Sequence, residues 1–160
     1  MNITSLKRKS LISSFLILFA VPMIAFGQQC QKMDNGVSCK PEIATSSDAS
    51  KAQVQALKHK SGKIALAIRA VASQKLFSKK TKYAYASIGG DKFRFDVKLG
   101  KVRKQNNGNV HHLVIVYLFE YATSRLTKGD NFKLQFGKDG PTFEISKVID
   151  DLVFLTTDKT

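Results

Sequence analysis

His111 and His112 stand side by side in "VHHLVIVYLFEY", and imidazole is the side chain best suited to proton transfer or metal ligation near neutral pH. The run around them is β-branched and aromatic, which predicts a strand, and a strand sends successive side chains to opposite faces. The pair therefore cannot grip one ion together, and a metal site needs three or four converging ligands. The carboxylates offer no better start. Asp150 and Asp151 are adjacent and read as a turn between two strands, while Asp91, Asp130 and Asp139 each neighbour a glycine, where Asp favours turns. Glu120 falls in a predicted strand, and Glu144 alternates with Phe143 and Ile145, which puts it on a wet face. A glycosidase-type pair needs two carboxyls to converge, and no spacing here brings two together. There is no G-x-S-x-G elbow. "SIGGD" at 87–91 lacks the Lys-Ser/Thr ending of a phosphate loop and predicts a hairpin turn instead. The expectation is a protein with no catalytic residue, no metal site and no cofactor.

The remaining reactive side chains are Cys30 and Cys39 in "CQKMDNGVSC". They follow a leader-like N-terminus in which Lys7, Arg8 and Lys9 precede an apolar run from Leu11 to Phe26, interrupted by Ser13, Ser14 and Pro22. That order of basic, apolar and small residues marks a secretory signal peptide, with Ala25 and Gly27 at the −3 and −1 positions of a cut before Gln28. The run is short for a bilayer core of about 30 Å, although an uncleaved leader would leave the chain anchored to a membrane. Gln28 and Gln29 before Cys30 do not suit lipid attachment. An even cysteine pair in an exported chain predicts a Cys30–Cys39 disulfide closing a small loop whose turn is "DNG". Three basic side chains leave with the leader, so the exported form carries 23 Lys and Arg against 12 Asp and Glu, a net charge of +11. Such a charge bears on partners rather than on fold.

The positive charge is concentrated. From Lys51 to Gly90 no acidic residue interrupts Lys51, Lys58, Lys60, Lys63, Arg69, Lys75, Lys79, Lys80 and Lys82. Within that stretch Val54, Leu57, Ile64, Ile68 and Val71 recur at helix-compatible spacings, and many alanines add helix propensity, with Gly62 weakening the middle. This predicts a basic amphipathic helix over 51–77. Lys58, Lys60, Lys63, Arg69, Lys75, Lys79, Lys80 and Lys82 are its candidate contacts to an acidic partner, an anionic membrane surface or another polyanion. "KLFSKKTKYAY" also interleaves Lys with Phe77, Tyr83 and Tyr85 in a manner suited to single-strand stacking. Export leaves nucleic acid the weakest of these partners.

Beyond Tyr83 the period changes to two. "KFRFDVKL" alternates strictly, "QNNGN" turns, the His run follows, and "TKGD", "GKDGP" and "DD" separate "NFKLQF", "TFEISKV" and "LVFLTT". The predicted class is α+β: an N-terminal basic amphipathic helix, then a small antiparallel sheet, sandwich or barrel of five to six strands, the sixth being "YAYASI". The boundaries are 1–27 for the signal peptide, 28–50 for the disulfide loop and linker, 51–82 for the basic helical segment and 83–160 for the β-domain.

Within the last part, Gly129, Asp130, Val148, Ile149, Asp150, Asp151, Val153 and Leu155 follow a pattern of Gly-Asp, strand, Val/Ile-rich strand, acidic turn and closing "V-x-L". Over about 30 residues this resembles the small periplasmic β-domain of inner-membrane assembly components of type IV pili and type II secretion systems. The resemblance implies a non-enzymatic adaptor in the envelope, with a secretin or inner-membrane assembly proteins as partners. The alternative from charge alone is a periplasmic or secreted module that binds an anionic glycan, lipid or other polyanion.

Overall fold

A computed structural model describes residues 29–157. The leader read in residues 1–27 lies outside the described residues. The chain opens with a hairpin, β1 (Cys30–Met33) and β2 (Gly36–Cys39), turning at Asp34 and Asn35 as "DNG" predicts. β3 (Glu42–Ala44) is short. β4 (Lys51–His59) and β5 (Ile64–Ala72) form a long hairpin, and β6 (Tyr83–Ile88) and β7 (Asp91–Leu99) form another through Gly89 and Gly90. Then come β8 (Arg103–Lys104), β9 (Val110–Leu118), a one-turn helix α1 (Glu120–Thr123), β10 (Lys133–Phe136) and β11 (Thr142–Glu144). A 3-10 turn at Ser146–Val148 leads into α2 (Ile149–Thr157).

All pairings are antiparallel, in the order β1-β2-β4-β5-β9-β7-β6-β10-β11, with β3 also on β4 and β8 also on β9. The sheet curls into a half-barrel. Its far strand returns to the near side, where Thr45, just past β3, exchanges both backbone hydrogen bonds with Glu144 at 3.0 and 2.8 Å. That single bridge joins what would otherwise be an open edge of β11, and open edges are what other chains add strands to.

The predicted helix over 51–77 is not there. The residues form β4 and β5, paired residue for residue from Lys51↔Val71 to Lys58↔Ile64. Ile64 and Ile68 are four apart, a spacing that suits a helix and a strand equally, and "KAQVQA" alternates polar with apolar at a period of two. The alternation prevails because it packs two faces at once. Ala52, Val54, Ala56, Ile64, Leu66, Ile68 and Ala70 join the main core, whereas Leu57, Ala65, Ala67 and Ile115 form a second apolar cluster on the reverse side. Intrinsic helix preference of alanine, a few tenths of a kcal/mol per residue, is small against that burial. Gly62 is the turn of this hairpin, at φ +83°. The linker expected after the disulfide loop, within 28–50, contains β3.

"LVFLTT" is also corrected, from strand to helix. Val148, Ile149, Leu152 and Leu155 are buried at helical spacing, and Asp150 and Asp151 form the first turn of α2, where the exposed Asp150 carboxylate suits the helix dipole. The α+β expectation of an N-terminal helix and five to six strands thus gives way, among the described residues, to eleven mostly short strands with one short C-terminal helix.

The core alternates small and large across neighbouring strands, so the rings have room. Ala84 lies between Phe95 and Phe136 in the register, and Ala86 faces Phe93. Phe77, from the β5–β6 connection, packs on Phe136 at 5.0 Å and on Phe143 at 6.1 Å between ring centres. Phe136→Ala is expected to cost about 3–5 kcal/mol by opening a cavity among these rings. A drop in the urea midpoint at constant slope would register it, and a shift below about 1 kcal/mol would mean the rings are loosely held.

Candidate functional site

The curl sends the core-facing side chains inward and leaves one concave stretch on its outer side, where β4, β5, β9 and β8 lie next to each other. Register sets its floor. Lys51, Val71, His111 and Arg103 are consecutive partners across the four strands, so they share one face in one row. The next row brings Gln53, Arg69 and Leu113 together. Three grooves follow this surface. One of about 670 Å³ is lined by Lys51, Gln53, Arg69, Val71 and His111 together with Ile43, Thr45, Ser46 and Ser50 from β3 and the connection after it. A second of about 230 Å³ runs on past Arg69 and His111 to Lys101 and Arg103. A third of about 300 Å³ continues from Gly100 and His112 to Lys75 and Lys79. The first two share Arg69, Val71 and His111, the third adjoins the second at Gly100, His112 and Leu113, and the three together are termed the trough.

Six cations line that trough, Lys51, Arg69, Lys75, Lys79, Lys101 and Arg103, and no Asp or Glu does. Lys51, Lys75, Lys79, Lys101 and Arg103 are exposed, and Arg69 is half-buried. Burial lowers the pKa of Arg69 from its usual value, yet a guanidinium stays charged in proteins, and a charge partly withdrawn from water acts more strongly on an anion beside it. The chemistry this arrangement supports is the holding of distributed negative charge along a strip.

The two histidines divide as the strand rule requires. His111 lies on the groove floor, whereas His112 is buried beneath it against Phe77, 5.4 Å between ring centres. His112 Nε2 lies 3.3 Å from the Leu76 N–H and 3.4 Å from the Gln74 carbonyl, and its Nδ1 has no partner among the described residues. Burial pushes its pKa down, assisted by Lys75 and His111 and opposed by the Gln74 carbonyl. It is a neutral core residue under the groove.

Several of the acids have partners close by. Arg125 pairs with Asp91. Asp130 accepts from the Thr127 N–H and hydroxyl at 2.8 and 2.9 Å, closing the "TKGD" turn. Glu144 accepts from Ser146 at 2.7 Å and lies 3.6 Å from Lys133. Lys128 reaches Asp150 at 3.7 Å. Glu120 begins α1 rather than sitting in a strand.

The eight basic residues singled out from the sequence do not form one site. Lys58, Lys60 and Lys63 lie at the β4–β5 hairpin end, while Lys75, Lys79, Lys80 and Lys82 belong to the connection leaving the opposite end of β5. The nine residues of β5 separate the two groups by roughly 25–30 Å. Of the eight, Arg69, Lys75 and Lys79 line the trough. Lys101, Arg103 and His111 come from elsewhere in the chain. Their clustering depends on β8 and β5 flanking β9, and no spacing along the sequence carries that information.

The expected disulfide is present. Cys30 and Cys39 are joined at 2.07 Å across the β1–β2 ladder, a bond at home in an oxidising compartment. Among the described residues no helix is long and apolar enough to cross a membrane. No protein-family model, curated protein or solved structure matches this chain.

Proposed function

We propose that this protein is an exported, non-enzymatic binding module that holds an anionic polymer or a polyanionic surface in the trough across β4, β5, β9 and β8. The observation that carries this reading is the set of six cations from four separate chain segments, lining three adjoining grooves without a single carboxylate. A net charge arising only from solubility would be spread over the surface with acids interleaved. The leader-like N-terminus and the disulfide support an extracytoplasmic location.

An adaptor of a pilus or secretion assembly is the second reading, and Phe119 and Tyr121, 43% and 64% exposed beside Phe93, favour it as a protein-contact patch. The helix assigned to those contacts is a strand pair, so the aromatic patch would have to serve instead.

Salt titration separates the two. Heparin, as a model sulfated polymer, and vesicles containing anionic lipid should bind the protein with affinity that falls steeply as salt rises, because each neutralised charge releases counterions. Binding at 50 mM salt that weakens by at least tenfold at 200 mM is expected. Absence of binding to both at low salt would refute the proposal.

A further inference from the structure

Away from the trough, the disulfide has an unusual neighbour. Cys39 is wholly buried in the core, whereas Cys30 is only half-buried. Asp151, on the first turn of α2 and 2% exposed, places Oδ1 3.8 Å from Cys30 Sγ. Both sulfurs and a carboxylate oxygen lie within 4.8 Å of one another. With the sulfurs joined, they present no thiolates and this is no metal site. Asp151 Oδ2 has no partner among the described residues.

The charges facing Asp151 are hostile to its ionised form. Glu42 of β3 and Asp150 of its own helix are both negative, and the Lys128 ammonium goes to Asp150. Burial, then Glu42, then Asp150 push its pKa up to about 7. A disulfide sulfur carries no hydrogen. The contact to Cys30 is therefore a hydrogen bond only when Asp151 holds the proton and donates it. A mere staple gains nothing from a buried, unpaired carboxyl beside it, and such a group costs stability.

We propose that Cys30–Cys39 is an exchangeable disulfide and that Asp151 is the positioning acid that supplies a proton to the buried sulfur. A thiolate from an external dithiol attacks Cys30 Sγ, the more accessible sulfur. A mixed disulfide forms, the Cys30–Cys39 bond breaks, and its electron pair leaves on Cys39 Sγ. Asp151 passes its proton to that thiolate, which is otherwise stranded as a charge in the core, and recovers one from solvent. The second sulfur of the dithiol, also as thiolate, then attacks the first. Cys30 departs as a thiolate and is protonated by water. The protein gains two electrons and two protons, and the dithiol is oxidised to its own disulfide.

The reactivity is independent of the trough and is tested without an anionic ligand. Purified protein is treated with millimolar dithiothreitol between pH 5 and 9, and free thiols are alkylated and counted by mass. Dithiothreitol itself loses thiolate at low pH, so each rate is divided by the thiolate fraction. Wild type should then keep a rate constant at least tenfold above that of Asp151→Asn at pH 6, with the two converging above pH 8.5. Glu42→Gln removes one repulsive charge, so its convergence should move to lower pH while its circular dichroism matches wild type. Equal normalised rates for wild type and Asp151→Asn at every pH would overturn the assignment, as would a disulfide that resists reduction until the protein unfolds. An unchanged convergence pH in Glu42→Gln would also count against it.

Discussion

A protein carrying Lys51→Gln, Lys101→Gln and Arg103→Gln together should lose about a hundredfold in affinity for a sulfated polymer at 50 mM salt. All three side chains are exposed, on strand starts or loops, so their loss should leave the fold intact. Each basic side chain close to an anionic surface is worth about 1 kcal/mol, and three of them give about 3 kcal/mol, hence the hundredfold. The control is Lys60→Gln with Lys63→Gln, which lowers net charge by nearly as much at the hairpin tip. That pair should weaken binding by no more than a few-fold. Equal losses in the two proteins, read by isothermal titration, would mean that the overall charge attracts the polymer and the trough does not hold it.

Replacing Asp151 by Asn should make the protein markedly more stable at pH 8 and leave it little changed at pH 4. The folded pKa is pushed up to about 7 from 3.8, so the folded state holds the proton more tightly than the unfolded chain does. Below pH 3.8 both states are protonated and the group is neutral in the balance. As pH rises from 3.8 to about 7 the unfolded chain ionises first, and stability falls. Above about 7 the loss is complete. A rise of about three pKa units corresponds to roughly 4 kcal/mol, an upper figure because relaxation around a buried carboxylate recovers part of it. Asn cannot ionise and removes this slope. Thermal unfolding at pH 8 should show a gain of roughly 10 °C over wild type for a chain of this size. Parallel curves for the two proteins from pH 4 to 8 would show that the carboxyl ionises freely in the folded state.

Strict alternation made β7 readable as "KFRFDVKL", and glycine-bearing turns placed the β6–β7 hairpin and the "DNG" and "TKGD" turns correctly. What misled was residue type where two periods coincide. In β5, "IALAIRAVA" is rich in alanine, and its isoleucines lie four apart, so propensity and a partial helical stripe outweighed the alternation visible in "KAQVQA" next to it. In α2 the reverse happened. β-Branched and aromatic residues in "LVFLTT" suggested a strand, while burial of Ile149, Leu152 and Leu155 at three-residue intervals required a helix. Tertiary packing decided both, as it commonly does when local preferences differ by less than the energy of burying a face.

The disulfide was legible because two cysteines allow one pairing. Asp151 was not legible as a special carboxyl. Its depth comes from α2 lying against the β1–β2 hairpin, 121 residues distant in sequence from Cys30. The trough was half legible. An acid-free run from Lys51 to Gly90 announced positive charge, yet the register Lys51–Val71–His111–Arg103 chooses which cations face the same concavity. Lys60 and Lys63, prominent in the sequence, are carried away from it by their own hairpin.

Amide and side-chain chemical shifts during titration with a sulfated oligosaccharide at low salt would locate the bound polymer. Perturbations should concentrate on Arg69, Val71, Lys101, Arg103 and His111, with the β4–β5 hairpin tip and the Phe119–Tyr121 patch unmoved. Perturbations centred on Lys58, Lys60 and Lys63, or scattered evenly over every exposed lysine, would contradict binding in the trough.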